Sequence, residues 1–178
     1  LITGVAGFIG SNLAARLLAE GYKVVGIDNL AYGLRENIPD AVEFYQKDIR
    51  ERGIHSLFDQ VDTVFHLAAK NCIADCQNDP VETAEINVSG TVNVFEASKR
   101  AGVRRVVYAE SSAMYEGSKI YPTPESEVKP KSFYAVSKLA SMHFAQAYQR
   151  FYGQQLSDSS SLTTDHSSRI THHGLSFT

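Results

Sequence analysis

At 178 residues, with 43% hydrophobic and 21% charged residues, the chain can bury one good core, and its length favours a single domain. A net charge of −3 supplies no attraction for nucleic acid or an anionic membrane surface, so neither is expected as a partner. No apolar run approaches the roughly 20 residues that cross a bilayer, and the opening residues lack the charged and apolar regions of a secretory leader, so a cytoplasmic protein is expected.

Leu1-Ile2-Thr3 runs directly into Gly4 and reads as the end of a buried strand, whose earlier part is expected to be missing together with an initiator methionine. Over residues 8–20, Ile9, Leu13, Leu17 and Leu18 recur at helical spacing, and Gly21 stands where a helix C-terminus belongs. Residues 23–28 read as a strand. After a loop over 29–39, residues 42–46 and 61–67 read as two more strands, short enough for a parallel sheet, with a short helix near 54–58 between them. A helix over 80–101, carrying Val88, Val92, Val94, Phe95 and Ala97 and closed by Gly102, precedes a strand over 105–110. Pro122, Pro124 and Pro130 make residues 116–132 an irregular loop that leads into a helix over 133–152.

Strands and helices alternating through short connections predict an α/β fold: a doubly wound parallel sheet with right-handed crossovers and helices on both faces. From Leu156 to Thr178 the chain is rich in Ser, Thr and His and shows neither strand nor helix period, so a poorly ordered or aberrant tail is expected over 156–178. Cys72 and Cys76 are spaced C-x3-C, which is neither a zinc-ribbon half nor a redox C-x-x-C; two reduced thiols and no metal site are expected.

Between the first strand and first helix lies Gly4-Val5-Ala6-Gly7-Phe8-Ile9-Gly10. In such a G-x-x-G-x-x-G turn the first glycine permits the tight exit from the strand, the second lets backbone approach a pyrophosphate, and the third allows close helix–strand packing. The helix N-terminus adds free N–H groups and a positive dipole end. Asp28 ends the next strand about twenty residues on, where a carboxylate accepts both ribose hydroxyls of an adenosine and repels a 2′-phosphate. The pattern predicts a Rossmann-type domain over residues 1–155 that binds NAD rather than NADP. Arg35 in the following loop reads either as a modifier of that preference or as a solvated arginine.

Tyr134-Ala-Val-Ser-Lys138 places a phenol and an ammonium at i and i+4, on one face of a helix. A lysine cation beside a phenol favours phenolate, which brings tyrosine toward use as a general base, and the same ammonium can hold a cofactor ribose. Ser111 follows the preceding strand, at the end of the sheet where ligands of open α/β folds bind, and can donate to the same substrate oxygen.

At these residues the chain resembles the extended short-chain dehydrogenase/reductase family, in its NAD-dependent epimerase/dehydratase branch, over roughly residues 1–153. The matching blocks are TGVAGFIGSNL at Thr3, DNLAYG at Asp28, KDIRE at Lys47, FHLAA at Phe65, INVSGTVNVFEA at Ile86, SSAMY at Ser111 and FYAVSKL at Phe133. The resemblance implies that Phe8 and Ile9 cover the pyrophosphate bound at Gly4, Gly7 and Gly10. It implies that Asp28, Asn29, Leu30, Ala31, Tyr32 and Gly33 frame the adenosine ribose, that Asp48 and Ile49 meet the adenine, and that Leu67, Ala68 and Ala69 line the cofactor. Ser111, Tyr134 and Lys138 take the family's catalytic positions, with Lys138 also on the ribose, while Asn87 reads as structural.

Where related 4,6-dehydratases carry Asp-Glu after the catalytic threonine, this chain has Ser112-Ala113, which disfavours water elimination. What the resemblance implies instead is 4-epimerisation of a UDP-glucose/galactose type nucleotide sugar by transient oxidation at C4. A decarboxylase or reductase of the same kind, and an NAD-sensing module without catalysis, stay open. Homodimerisation through the helices over 80–101 and 133–152 is likewise implied, although Met142 and Phe144 also read as core residues. Relatives continue past this helix into a sugar-nucleotide domain, so a truncated or frame-shifted coding sequence that lacks its substrate domain is expected; coding DNA in frame through Thr178 to a native stop would refute that expectation.

Overall fold

The computed structural model describes residues 1–153. Its strands are β1 (Ile2–Thr3), β2 (Val25–Asp28), β3 (Glu43–Gln46), β4 (Thr63–His66) and β5 (Arg105–Tyr108), all parallel and ordered β3-β2-β1-β4-β5. Alternation along the strands sends neighbouring residues to opposite faces. Leu1, Ile27 and Val64 join one core with Ile54, Phe58, Val94 and Phe95. Ile2 and Val24 join the other with Val5, Ala14 and Val42, against which Leu13, Leu17 and Phe65 pack. A sheet buried on both faces is the doubly wound arrangement that the alternating elements predict.

Helix α1 (Phe8–Ala19) covers the second of these cores. Helices α2 (Ile73–Asn78), α3 (Pro80–Ala84), α4 (Thr91–Arg100) and α5 (Phe133–Tyr148) follow in chain order, and α4 and α5 contribute to the first core. Asp79 caps α3 by accepting from the Glu82 amide at 2.9 Å, and Pro80 occupies its first turn, where a missing N–H costs nothing.

The sequence reading and the structure differ in detail. The strands are trimmed by one or two residues at their ends. The helix expected over 80–101 is a continuous run in three parts, α3, a π-helical segment Glu85–Gly90 and α4. The six-residue α2 was not expected, because a helix that short displays no apolar period. A 3-10 turn, Arg52–Phe58, stands where a short helix is expected, and α5 passes into a π-helical turn at Gln149–Gly153. On α5, Met142 is half-buried and Phe144 is exposed. The tail expected over 156–178 lies outside the described residues. Among the described residues no helix is long and apolar enough to cross a membrane.

Candidate functional site

The chain leaves β1 for β2 on one side, while β4 pairs with β1 on the other. The crevice above the carboxyl end of β1 is thus the topological switch point, where ligands of open α/β sheets bind. A cleft of about 350 Å³ lies there. The sheet splits at Gly4, whose amide donates to the Ile27 carbonyl at 2.8 Å, while Leu67 N–H donates to the Thr3 carbonyl at 3.1 Å. Gly4 adopts φ +75°, and a Cβ there would sit 2.7 Å from the Ala68 nitrogen. A Cβ on Gly10 would sit 2.2 Å from the Gly4 carbonyl oxygen, so α1 packs directly on the turn. Gly7 is the N-cap of α1 and supplies no side-chain cap, which leaves the first-turn amides for an anion.

Asp28 is buried at the cleft wall. Its Oδ2 accepts from the Ala6 amide at 3.0 Å and its Oδ1 from the Leu30 amide at 2.8 Å. A carboxylate offers about four lone-pair sites, so two backbone donors fix its plane and still leave acceptor capacity for a pair of ribose hydroxyls. Leu30 reaches this position through φ 61°. At the rim, Arg50 grips Asp48 in bidentate fashion, at 2.9 and 2.8 Å, and Asn29 donates to the same carboxylate at 3.0 Å. Arg50, with its hydrogen bonds, holds the Asp48 carboxyl down at about 2. Across the mouth the Tyr32 hydroxyl donates to Asp75 of α2 at 3.1 Å.

Of the residues that the sequence assigns to a cofactor, Gly4, Gly7, Phe8, Asp28, Asn29, Ala31, Tyr32, Gly33, Asp48, Ile49, Leu67, Ala68 and Ala69 line this one cleft. Ile9, Gly10 and Leu30 do not. Ile9 is 41% exposed on the outside of α1, Gly10 is buried against the turn, and Leu30 acts through its backbone while its side chain packs on the second core. Ile27, Lys70 and Asn71 line the cleft without having been singled out, as do Lys47 and Ile86, which were quoted only as the first residues of matching blocks. Each adjoins or opens a block already read as cofactor-facing or family-matching, and adjacency is the signal that would have found them. Arg35 lies outside the lining residues and places its guanidinium over the Phe44 ring, 5.0 Å from its centroid.

Ser111, Tyr134 and Lys138 lie outside the cleft lining, toward the carboxyl end of β5. Ser111 is half-buried and caps the 3-10 turn Ser112–Tyr115, its Oγ accepting from the Ala113 amide at 3.2 Å. On α5, which Ser132 caps, Tyr134 is half-buried and Lys138 is 5% exposed. Burial lowers Lys138 to about 8, opposed by the negative charge of Glu110.

Beneath these residues sits a buried polar layer. His66 of β4 makes hydrogen bonds to the hydroxyls of Thr3 at 2.6 Å and Thr91 at 2.9 Å. Burial, helped by the nearby Lys138 charge, depresses His66 to about 3, so the ring is neutral and its single donor and single acceptor match the two hydroxyls. Asn87, 2% exposed on the π-helical segment, accepts from the Lys70 amide at 2.8 Å and donates to the Lys70 carbonyl and the Ser137 hydroxyl, both at 2.9 Å. Its amide is fully engaged, which is the structural role read from sequence, and it ties the cleft wall to α5. The cysteines are free thiols, Cys72 exposed and Cys76 buried.

This geometry has close counterparts. The chain is 40% identical over 161 residues to the UDP-glucose 4-epimerase of Mycolicibacterium smegmatis, a match that covers 85% of this chain and 51% of that protein. Among solved structures, UDP-glucose 4-epimerase with UDP-glucose from Thermotoga maritima superposes with a TM-score of 0.83 at 33% identity, covering 85% of this chain and 51% of that one. The Thermus thermophilus UDP-glucose 4-epimerase in complex with NAD superposes with a TM-score of 0.79 at 38% identity, with the same coverage of 85% and 51%. The chain spans about half the length of these relatives. The model of the NAD dependent epimerase/dehydratase family matches residues 1–157, and with the glycine turn, the Asp28 wall and the switch-point cleft all inside that span, the chain belongs to this family.

Proposed function

We propose that this chain is the NAD-binding half of a nucleotide-sugar 4-epimerase of the UDP-glucose/UDP-galactose type. The observation that carries this reading is the convergence of the glycine turn, Asp28 and residues 67–69 on a single cleft at the switch point of the sheet. The cleft suits NAD: Gly4, Gly7 and the α1 N-terminus would hold a pyrophosphate, Asp28 keeps acceptor capacity for ribose hydroxyls, and Asp48 with Ile49 would bound the adenine end. When bound, NAD supplies a two-electron acceptor that takes hydride from the sugar and gives it back.

Tyr134 accepts the proton of the C4 hydroxyl at its phenol oxygen and later returns it. Lys138 would hold the nicotinamide ribose, while Ser111 would donate a hydrogen bond to the same sugar oxygen. The Ser112-Ala113 pair in place of an acidic pair supports epimerisation over dehydration. Exposed Phe133, Val136 and Phe144 on α5, with Val81 on α3, support pairing of two copies through these helices.

The second reading is an NAD-binding module of this fold without catalysis. Calorimetric titration of NAD into the purified chain, alongside Asp28→Ala and with UDP-galactose turnover assayed on the same preparations, decides between them. Asp28→Ala is expected to weaken NAD on the order of 10- to 100-fold, the loss of charge-assisted hydrogen bonds. Turnover abolished by Tyr134→Phe supports the epimerase over the module, binding without turnover marks an intact NAD-binding half that lacks its substrate domain, and no heat at high micromolar NAD would sink both.

A further inference from the structure

Tyr108 closes β5, is 7% exposed and belongs to none of the motifs above. The Lys138 Nζ lies over its ring, 4.7 Å from the centroid, and its hydroxyl donates to the Lys138 carbonyl at 3.4 Å. One side chain thus touches both the head and the backbone of the lysine. The ring itself has little freedom to leave. His66 stacks on it with centroids 6.0 Å apart at 20°, and Phe95 meets it edge-on at 5.8 Å and 81°.

We propose that Tyr108 is a positioning residue for Lys138, its π face serving as the seat that holds the lysine ammonium at the carboxyl end of β5. This rests on the reading of Lys138 as the group that holds the cofactor ribose. An ammonium taken out of water needs a replacement for its hydration, and the negative face of an aromatic ring supplies one that is strongest when both are desolvated. The other ionisable groups nearby divide cleanly. Glu110, just beyond β5, favours the cation; His66 of β4 is neutral; Tyr134 lies one turn earlier on α5; and from α4 the uncharged Phe95 meets the Tyr108 ring and Thr91 meets His66. Tyr108 is therefore the uncharged member of the group that favours the ammonium form, and it is the one that also fixes where the ammonium sits.

The test follows the charge of Lys138 directly, by carbon NMR of Cε in the full 178-residue chain labelled at lysine, the signal assigned with Lys138→Arg. Tyr108→Phe, which keeps the ring face, is expected to leave the titration midpoint within about 0.3 pH units, whereas Tyr108→Leu is expected to lower it by about one pH unit. If Tyr108→Leu does not fold, phenylalanines of increasing fluorination at position 108 keep the shape while draining the ring's negative face, and the midpoint is expected to fall stepwise. A midpoint unmoved by Tyr108→Leu or by fluorination, or moved equally by Phe and Leu, overturns the proposal. Neither NAD nor sugar enters this readout, so failure of the epimerase reading, which shows as absent NAD binding or absent turnover, is recorded separately.

Discussion

The two ends of the candidate site are built by different means. At the adenosine end, the Gly4 and Gly10 contacts and the Ala6 and Leu30 amides on Asp28 are backbone features fixed by residues close in sequence or on adjacent strands. At the tyrosine–lysine end, Lys138, Tyr108 and His66 come from three separate elements and meet through side chains. The first end is set by how the chain turns. The second is set by how finished elements pack, and it is correspondingly more sensitive to packing and pH.

The largest expected effect breaks the backbone end. Gly10→Ala puts a Cβ against the Gly4 carbonyl, where neither partner is a flexible side chain, and is expected to cost about 3 kcal/mol or more with loss of NAD binding. Urea unfolding checks this; a variant within about 0.5 kcal/mol of the parent would show that the turn yields. Asn87→Ala, which strips partners from the Lys70 amide, the Lys70 carbonyl and the Ser137 hydroxyl, is expected to cost about 2–3 kcal/mol. Hydrogen exchange at the Lys70 amide should accelerate with it, and an unchanged rate would mean that the two ends are not coupled through this residue.

A gentler perturbation titrates the packed end. His66 is held at about 3 in the fold against an ordinary 6.5, so between those values the unfolded chain takes up a proton that the folded chain refuses. Its stability contribution is complete above pH 6.5 and drains as pH falls toward 3, at no more than about 1.4 kcal/mol per pH unit. Thermal unfolding between about pH 4 and 8 should show this slope, and His66→Gln should flatten it. Smallest is the rim pair. Asp48, held near 2 by Arg50, contributes above its ordinary 3.8 and loses that contribution as pH falls toward 2. Because the pair is partly exposed, Arg50→Ala is expected to cost under about 1 kcal/mol near pH 7 and nothing measurable near pH 2, by urea unfolding at both pH values.

The same division explains what could be read in advance. The glycine turn and Asp28 were legible because each sits at a strand end, where residue type and position jointly dictate the backbone, whereas residues 67–69 were reached only through the family resemblance. The doubly wound sheet was legible too, from strands and helices that alternate along the chain, and Leu1 and Ile2 part company to its two cores. Helix α2 was not, because six residues make too few turns to show a stripe. The π-helical register of Glu85–Gly90 escaped as well, because its apolar residues suit an ordinary helix. Tyr108 and His66 looked like ordinary strand residues, and their relation to Lys138 exists only after β4, β5 and α5 have packed.

The two amides on Asp28 bear on coenzyme exchange. Redirecting such a site toward a phosphorylated dinucleotide ordinarily begins by removing the acidic residue at the end of β2. Here the same two oxygens complete the hydrogen bonding of Ala6 in the glycine turn and of Leu30 in its left-handed conformation, so the exchange unfastens the turn along with the preference. Selectivity at position 28 is consequently shielded from drift by folding itself: a variant there is judged on whether it still makes the turn before its choice of coenzyme is ever put to use.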